Sequence, residues 1–144
     1  MDATPTRSVV LELRVVPVLL WSFSAVTLGS ALAWERGGQV RWLIAAWLIG
    51  VLLQGAVAHC VNDITDWGSG TDRDPAPRVL SGGSKVLRAD LLTERNLRWM
   101  GALAAAGACA LGVVVASQRG WSLLALGAVG VVGTSTHLCG PQTK

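Results

Sequence analysis

The chain has 144 residues, of which 51% are hydrophobic and only 15% charged, with a formal net charge of +3 and a mean hydropathy of +0.49. That balance excludes a disordered chain and an ordinary soluble domain of this size, because the charges also avoid long stretches of the sequence. The three cysteines, Cys60, Cys109 and Cys139, are odd in number and two lie in or beside apolar stretches, so they form no disulfide framework and read as small apolar residues.

After a polar tail over residues 1–14, four apolar windows follow at 15–34, 42–58, 99–116 and 121–138. Each is close to the ~20 residues that cross a hydrocarbon core of ~30 Å. The fold class expected is an all-α membrane protein with about four transmembrane helices, at roughly 15–34, 42–66, 97–116 and 121–138. A cleaved signal peptide is the competing reading of the first window, since Ala31-Leu32-Ala33 imitates a cleavage site. The window is nevertheless longer than the ~7–15 apolar residues of a signal core. Trp34, Trp42, Trp99 and Trp121 mark helix ends, where the indole prefers the lipid–water boundary.

Arg7 and Arg14 precede the first window, and Arg73, Arg78, Lys85, Arg88, Arg95 and Arg98 lie between the second and third. The other two connections carry only Arg36, Arg41 and Arg119. By the positive-inside rule the N-terminus and the loop at 62–96 face the cytoplasm, in a multi-pass protein of the cell membrane. Gly101, Gly107, Gly112, Gly127, Gly130 and Gly133 give the third and fourth windows the small surfaces of packed helices.

The second window ends in Asn62-Asp63-Ile64-Thr65-Asp66, with Asp72 and Asp74 close behind, so four of the nine acidic residues gather at one membrane boundary. Carboxylates are costly beside hydrocarbon, which makes this cluster a functional site. His59, Asn62, Asp63 and Asp66 are spaced to share one helical face if the helix continues beyond the bilayer. Asp63 and Asp66 supply the one or two carboxylates that magnesium (Mg2+) accepts, its shell being completed by water and phosphate oxygens, while Asn62 orients a ligand. Arg78 and Lys85 flank Ser81-Gly82-Gly83-Ser84, a turn able to present N–H groups, and guanidinium matches phosphate bidentately. Metal and arginine together at a membrane edge suit a diphosphate carried on a lipid tail.

These motifs resemble the UbiA superfamily of intramembrane aromatic prenyltransferases. Its Asn-Asp-x-x-Asp motif at the cytoplasmic end of the second helix corresponds to Asn62, Asp63 and Asp66, with Asp72 as the further aspartate. The run from Asn62 to Leu80, with Gly70-Thr71-Asp72 and Pro77-Arg78-Val79-Leu80-Ser81-Gly82, is most similar to the branch that acts on 1,4-dihydroxy-2-naphthoate in menaquinone synthesis. The resemblance implies magnesium-dependent transfer of a polyprenyl group from a polyprenyl diphosphate to an aromatic acceptor. It casts Asp63 and Asp66 as catalytic metal ligands, Asn62, Asp72, Arg78 and Lys85 as diphosphate-binding residues, and His59 as a contributor to the acceptor pocket. The expected partners are those two substrates and the bilayer, with no nucleic acid.

The chain departs from the family in three places. His59 stands where that branch usually has Asn, and Asp72 follows Asp66 by six residues instead of four. The family has about nine helices and a second aspartate-rich motif, so this chain corresponds to the first half of the bundle. The tail at 134–144 replaces the expected aromatic, proline-containing end of helix four, which reads as a frameshift or premature stop and implies a fragment inactive alone. A complete half-length chain would instead be expected to form a homodimer. Two other readings are a non-catalytic membrane scaffold and a small transporter subunit with Gln54 and His59 along a path.

Overall fold

The computed structural model describes residues 15–71 and 85–129, with side chains from residue 24 onward. Helix α1, Val15–Glu35, carries Pro17 in its first turn, where a missing N–H costs nothing. It ends at Gly37, whose φ of +79° is left-handed, with Gly37 N–H donating to Trp34 O at 2.9 Å and Gly38 N–H to Ala33 O at 2.8 Å. A Cβ on Gly38 would stand 2.6 Å from Ala33 O, so the close return of the chain requires glycine there as well.

Helix α2 runs without interruption from Val40 to Ser69 as Val40–Gly50, a π-helical segment Val51–Val57, and Ala58–Ser69. Helix α3, Glu94–Arg119, opens on Thr93, whose Oγ1 accepts from Asn96 N–H at 3.2 Å, and closes at Gly120. A fourth helix, α4, starts at residue 122 and is described through residue 129. The remainder of the expected fourth helix and the tail at 134–144 lie outside the described residues. Helices two and three are longer than the apolar windows, starting at 40 and 94 and ending at 69 and 119, because capping residues and not apolar periodicity set their ends. The second helix thus extends beyond the expected end at 66 to take in residues 67–69.

α2 is the centre of the arrangement. α1 packs on its first half and α3 along its whole length, while among the described residues α1 and α3 do not approach each other. Both neighbours run antiparallel to it. Trp47 Nε1 donates to Thr27 Oγ1 at 3.4 Å, and a Cβ on Gly50 would meet Val26 Cγ2 at 3.2 Å. On the other side, Gly101 faces Cys60, Gly107 faces Leu52, and Arg119 reaches Trp42. The buried face of α3 is made of Leu97, Gly101, Ala104, Ala108 and Ala116, at helical spacing, which lets the two backbones approach.

α2 and α3 are each long and apolar enough to cross a membrane, and only 17% of the apolar window of each is buried within the protein. At 1.5 Å per residue they measure about 45 and 39 Å. Leu28, Leu32, Ile44, Leu103, Val114, Leu126 and Val129 are all exposed, a surface that water would penalise. Trp34 and Trp121 are exposed at one end of the bundle and Trp99 at the other. Cys60 is buried as expected, but Cys109 is exposed on the outer face of α3.

Candidate functional site

Asp63 and Asp66 lie in the last part of α2, and the helix continues past them because Gly70 supplies the left-handed residue that ends it, at φ +84°. Thr65 Oγ1 donates to Val61 O at 2.8 Å and Ser69 Oγ to Asp66 O at 3.1 Å, so the final turns are tied to their own carbonyls. His59, Asn62, Asp63 and Asp66 are thereby fixed at i, i+3, i+4 and i+7 of one helix, as their spacing required.

Burial then divides them. Asp63 is only 4% exposed, the sole buried charged or polar side chain among the described residues. Asp66 and His59 are half-buried, and Asn62 is exposed. Adjacent residues on a helix point about 100° apart, so the face that buries Asp63 turns Asn62 away from it. The two carboxylates are one helical turn apart and the amide stands to their side.

A turn at residues 86–92 closes over this end of the bundle. Val86 and Leu97 are fully buried, and with Cys60, Leu87 and Leu92 they form one apolar cluster against which Ile64, Trp67, Leu91 and Met100 pack. Ala89 N–H donates to Lys85 O and Leu91 N–H to Val86 O, both at 2.9 Å. Lys85 and Asp90 bracket the turn with φ of +59° and +52°, a backbone region that is uncommon for residues other than glycine. Lys85 is thereby placed on the exposed shoulder of the cap, with Val86 as its anchor. Sequence reasoning missed this cap, although the pairs Val86-Leu87 and Leu91-Leu92 stand out as apolar in a polar stretch.

Asp72 and Arg78, together with Ser81-Gly82-Gly83-Ser84, lie outside the described residues. Among the described residues no three His, Cys, Asp or Glu side chains converge as a metal cage. Asp63 and Asp66 fit the more modest demand of magnesium, which takes one or two protein carboxylates and fills its octahedron with water and substrate oxygens. The structure thus sets a buried carboxylate one turn from a half-buried one, at the end of a helix able to span a bilayer.

No family model, curated protein or solved structure matches the chain.

Proposed function

We propose that this chain carries the donor-binding site of an integral membrane prenyltransferase activity that moves a polyprenyl group from a polyprenyl diphosphate to an aromatic acceptor in quinone synthesis. The reading places four helices in the cell membrane with the aspartate end at the cytoplasmic face. The observation that carries it is Asp63: a carboxylate 4% exposed, one turn from Asp66, between an apolar span and a cap. Its burial on a helix holds the side chain in one place, which a loop aspartate would lack.

Asp63 and Asp66 would hold magnesium, and that ion when bound supplies positive charge against the diphosphate. Lys85, exposed at the edge of the cap, and Arg78, the basic residue of the preceding sequence, would balance the charge that grows as the allylic C–O bond breaks and its electron pair leaves with the diphosphate oxygen. An electron-rich ring carbon of the acceptor then bonds the allylic carbon, and the ring loses a proton to restore aromaticity. The cap of Val86, Leu87 and Leu92 keeps water from this end of the bundle, which the allylic cation requires.

Binding tests the reading directly. The chain in lipid nanodiscs should bind a non-hydrolysable geranylgeranyl diphosphate analogue only with magnesium, and Asp63→Asn should weaken that binding at least about tenfold with helix content unchanged. Equal binding by Asp63→Asn, or binding indifferent to chelation, overturns it.

A further inference from the structure

At the opposite end of α2 from the aspartates, four side chains form a basic and aromatic cluster. Gln39 is the N-cap residue of α2, in extended conformation, and its Oε1 accepts from Arg41 Nε at 2.9 Å and from Trp42 Nε1 at 3.1 Å. The guanidinium carbon of Arg41 lies 4.9 Å from the centroid of the Trp42 ring. That of Arg119, from the last turn of α3, lies 5.3 Å from the same centroid. One indole thus draws two cations from different helices, and one amide fixes both the indole and the nearer cation.

Indole attraction for an exposed guanidinium is modest, and two like charges held near one ring offset part of it. Neither Arg41 nor Arg119 is ion-paired with a carboxylate among the described residues, and both are exposed. Arg41 spends Nε on Gln39, so its two terminal nitrogens remain to donate. The first N–H groups of α2 add positive potential at the same point. Two exposed guanidiniums and a helix N-terminus at one point favour an anion.

Its position identifies the anion. Trp42 lies about 30 Å along α2 from Asp63, one hydrocarbon thickness, so the cluster sits at the other bilayer surface when the aspartates sit at the first. Trp42 and the arginine stems suit the interface, and the guanidinium forks match phosphate oxygens there.

We propose that Gln39, Arg41, Trp42 and Arg119 form a phosphate-binding site filled by the headgroup of an anionic phospholipid, with Gln39 as the positioning residue. The site rests on α2 and α3 crossing the bilayer and is independent of prenyl transfer. Native mass spectrometry of the chain released from nanodiscs of phosphatidylcholine with a minor share of phosphatidylglycerol should find phosphatidylglycerol retained about tenfold over its share. The double variant Arg41→Gln/Arg119→Gln should bring retention to parity, and Gln39→Leu should lower it with both charges in place. Arg36→Gln, at the same end but off the ring, should leave it unchanged. Arg41→Lys, which keeps the charge and loses the fork, should lower retention even if the double variant proves poorly helical. Full retention in the double or Lys variants, or an equal loss in Arg36→Gln, overturns the site. Displacement of the lipid by millimolar inorganic phosphate overturns the lipid assignment.

Discussion

A Cβ on Gly101 would stand 3.3 Å from the Cβ of Cys60, so α2 and α3 approach one another as closely as glycine permits, one turn from Asp63. Alanine there needs the neighbour to yield by only a few tenths of an ångström, and it gains helix propensity. Gly101→Ala should be close to neutral. Gly101→Leu has no such room and should destabilise the α2–α3 pair by about 1–3 kcal/mol, read from thermal or denaturant unfolding in detergent. Equal stability of the Leu variant would mean that the two helices part without cost.

Thr93 is the one described side-chain cap of α3, accepting from Asn96 N–H at 3.2 Å. Thr93→Ala should cost about 1 kcal/mol, with the loss at the aspartate end of the bundle, since Leu97 follows in the next turn. The neighbouring Glu94–Arg98 pair, at 3.1 Å and well exposed, should matter far less. Hydrogen exchange at residues 94–98 distinguishes the two.

Gly70 closes α2 in a left-handed conformation, φ +84°, with open space around its Cα. Gly70→Ala meets no clash and is penalised for conformation alone, at about 1 kcal/mol. Fraying should reach Ser69 and Asp66 first, raising exchange there while Asp63 stays protected.

The π-helical turn at Val51–Val57 advances α2 by about one residue relative to an unbroken α-helix, which is about 100° of rotation for everything downstream. Deleting Gln54 should let the segment wind as α-helix and leave Asp63 on its buried face, because the residue removed and the rotation regained offset one another. A cysteine placed as Asp63→Cys should then react with maleimide as slowly in the deletion background as in the parent chain. Much faster labelling in the deletion background would mean that the π turn does not simply accommodate one extra residue.

Orientation of the protein is tested at Ser69, exposed near the end of α2. Ser69→Cys should resist a membrane-impermeant maleimide in intact cells and react once the membrane is opened. Rapid labelling in intact cells would invert the expected topology.

Apolar length made three of the four helices legible to within a few residues, because a bilayer-length run has few other uses. Their ends were less legible: Thr93, Gly37 and Gly70 set them through caps and left-handed turns that hydropathy ignores. The spacing of His59, Asn62, Asp63 and Asp66 placed them on one helix, but spacing alone could not choose which of them is buried. That choice depends on how α3 packs against this end of α2 and on the π turn, and seven ordinary residues from Val51 to Val57 carry no mark of a widened turn beyond the Gln54-Gly55 pair. The Trp42 cluster was illegible for a similar reason, since Arg119 meets that ring only when α3 folds back along α2.

Because α1 and α3 do not approach each other among the described residues, α2 is a single spine with two tenants. A strain introduced at the Val26–Gly50 contact has its direct covalent route to the Cys60–Gly101 contact along that one helix, through the π turn that lies between them. The widened turn is therefore the mechanical joint of the molecule: rigid, it makes the aspartate end sensitive to how α1 seats, and compliant, it insulates one from the other. Substitutions on the two sides of α2 should combine additively in the second case and not in the first, so a double-mutant cycle between Gly50 and Gly101 measures the stiffness of a single helical turn.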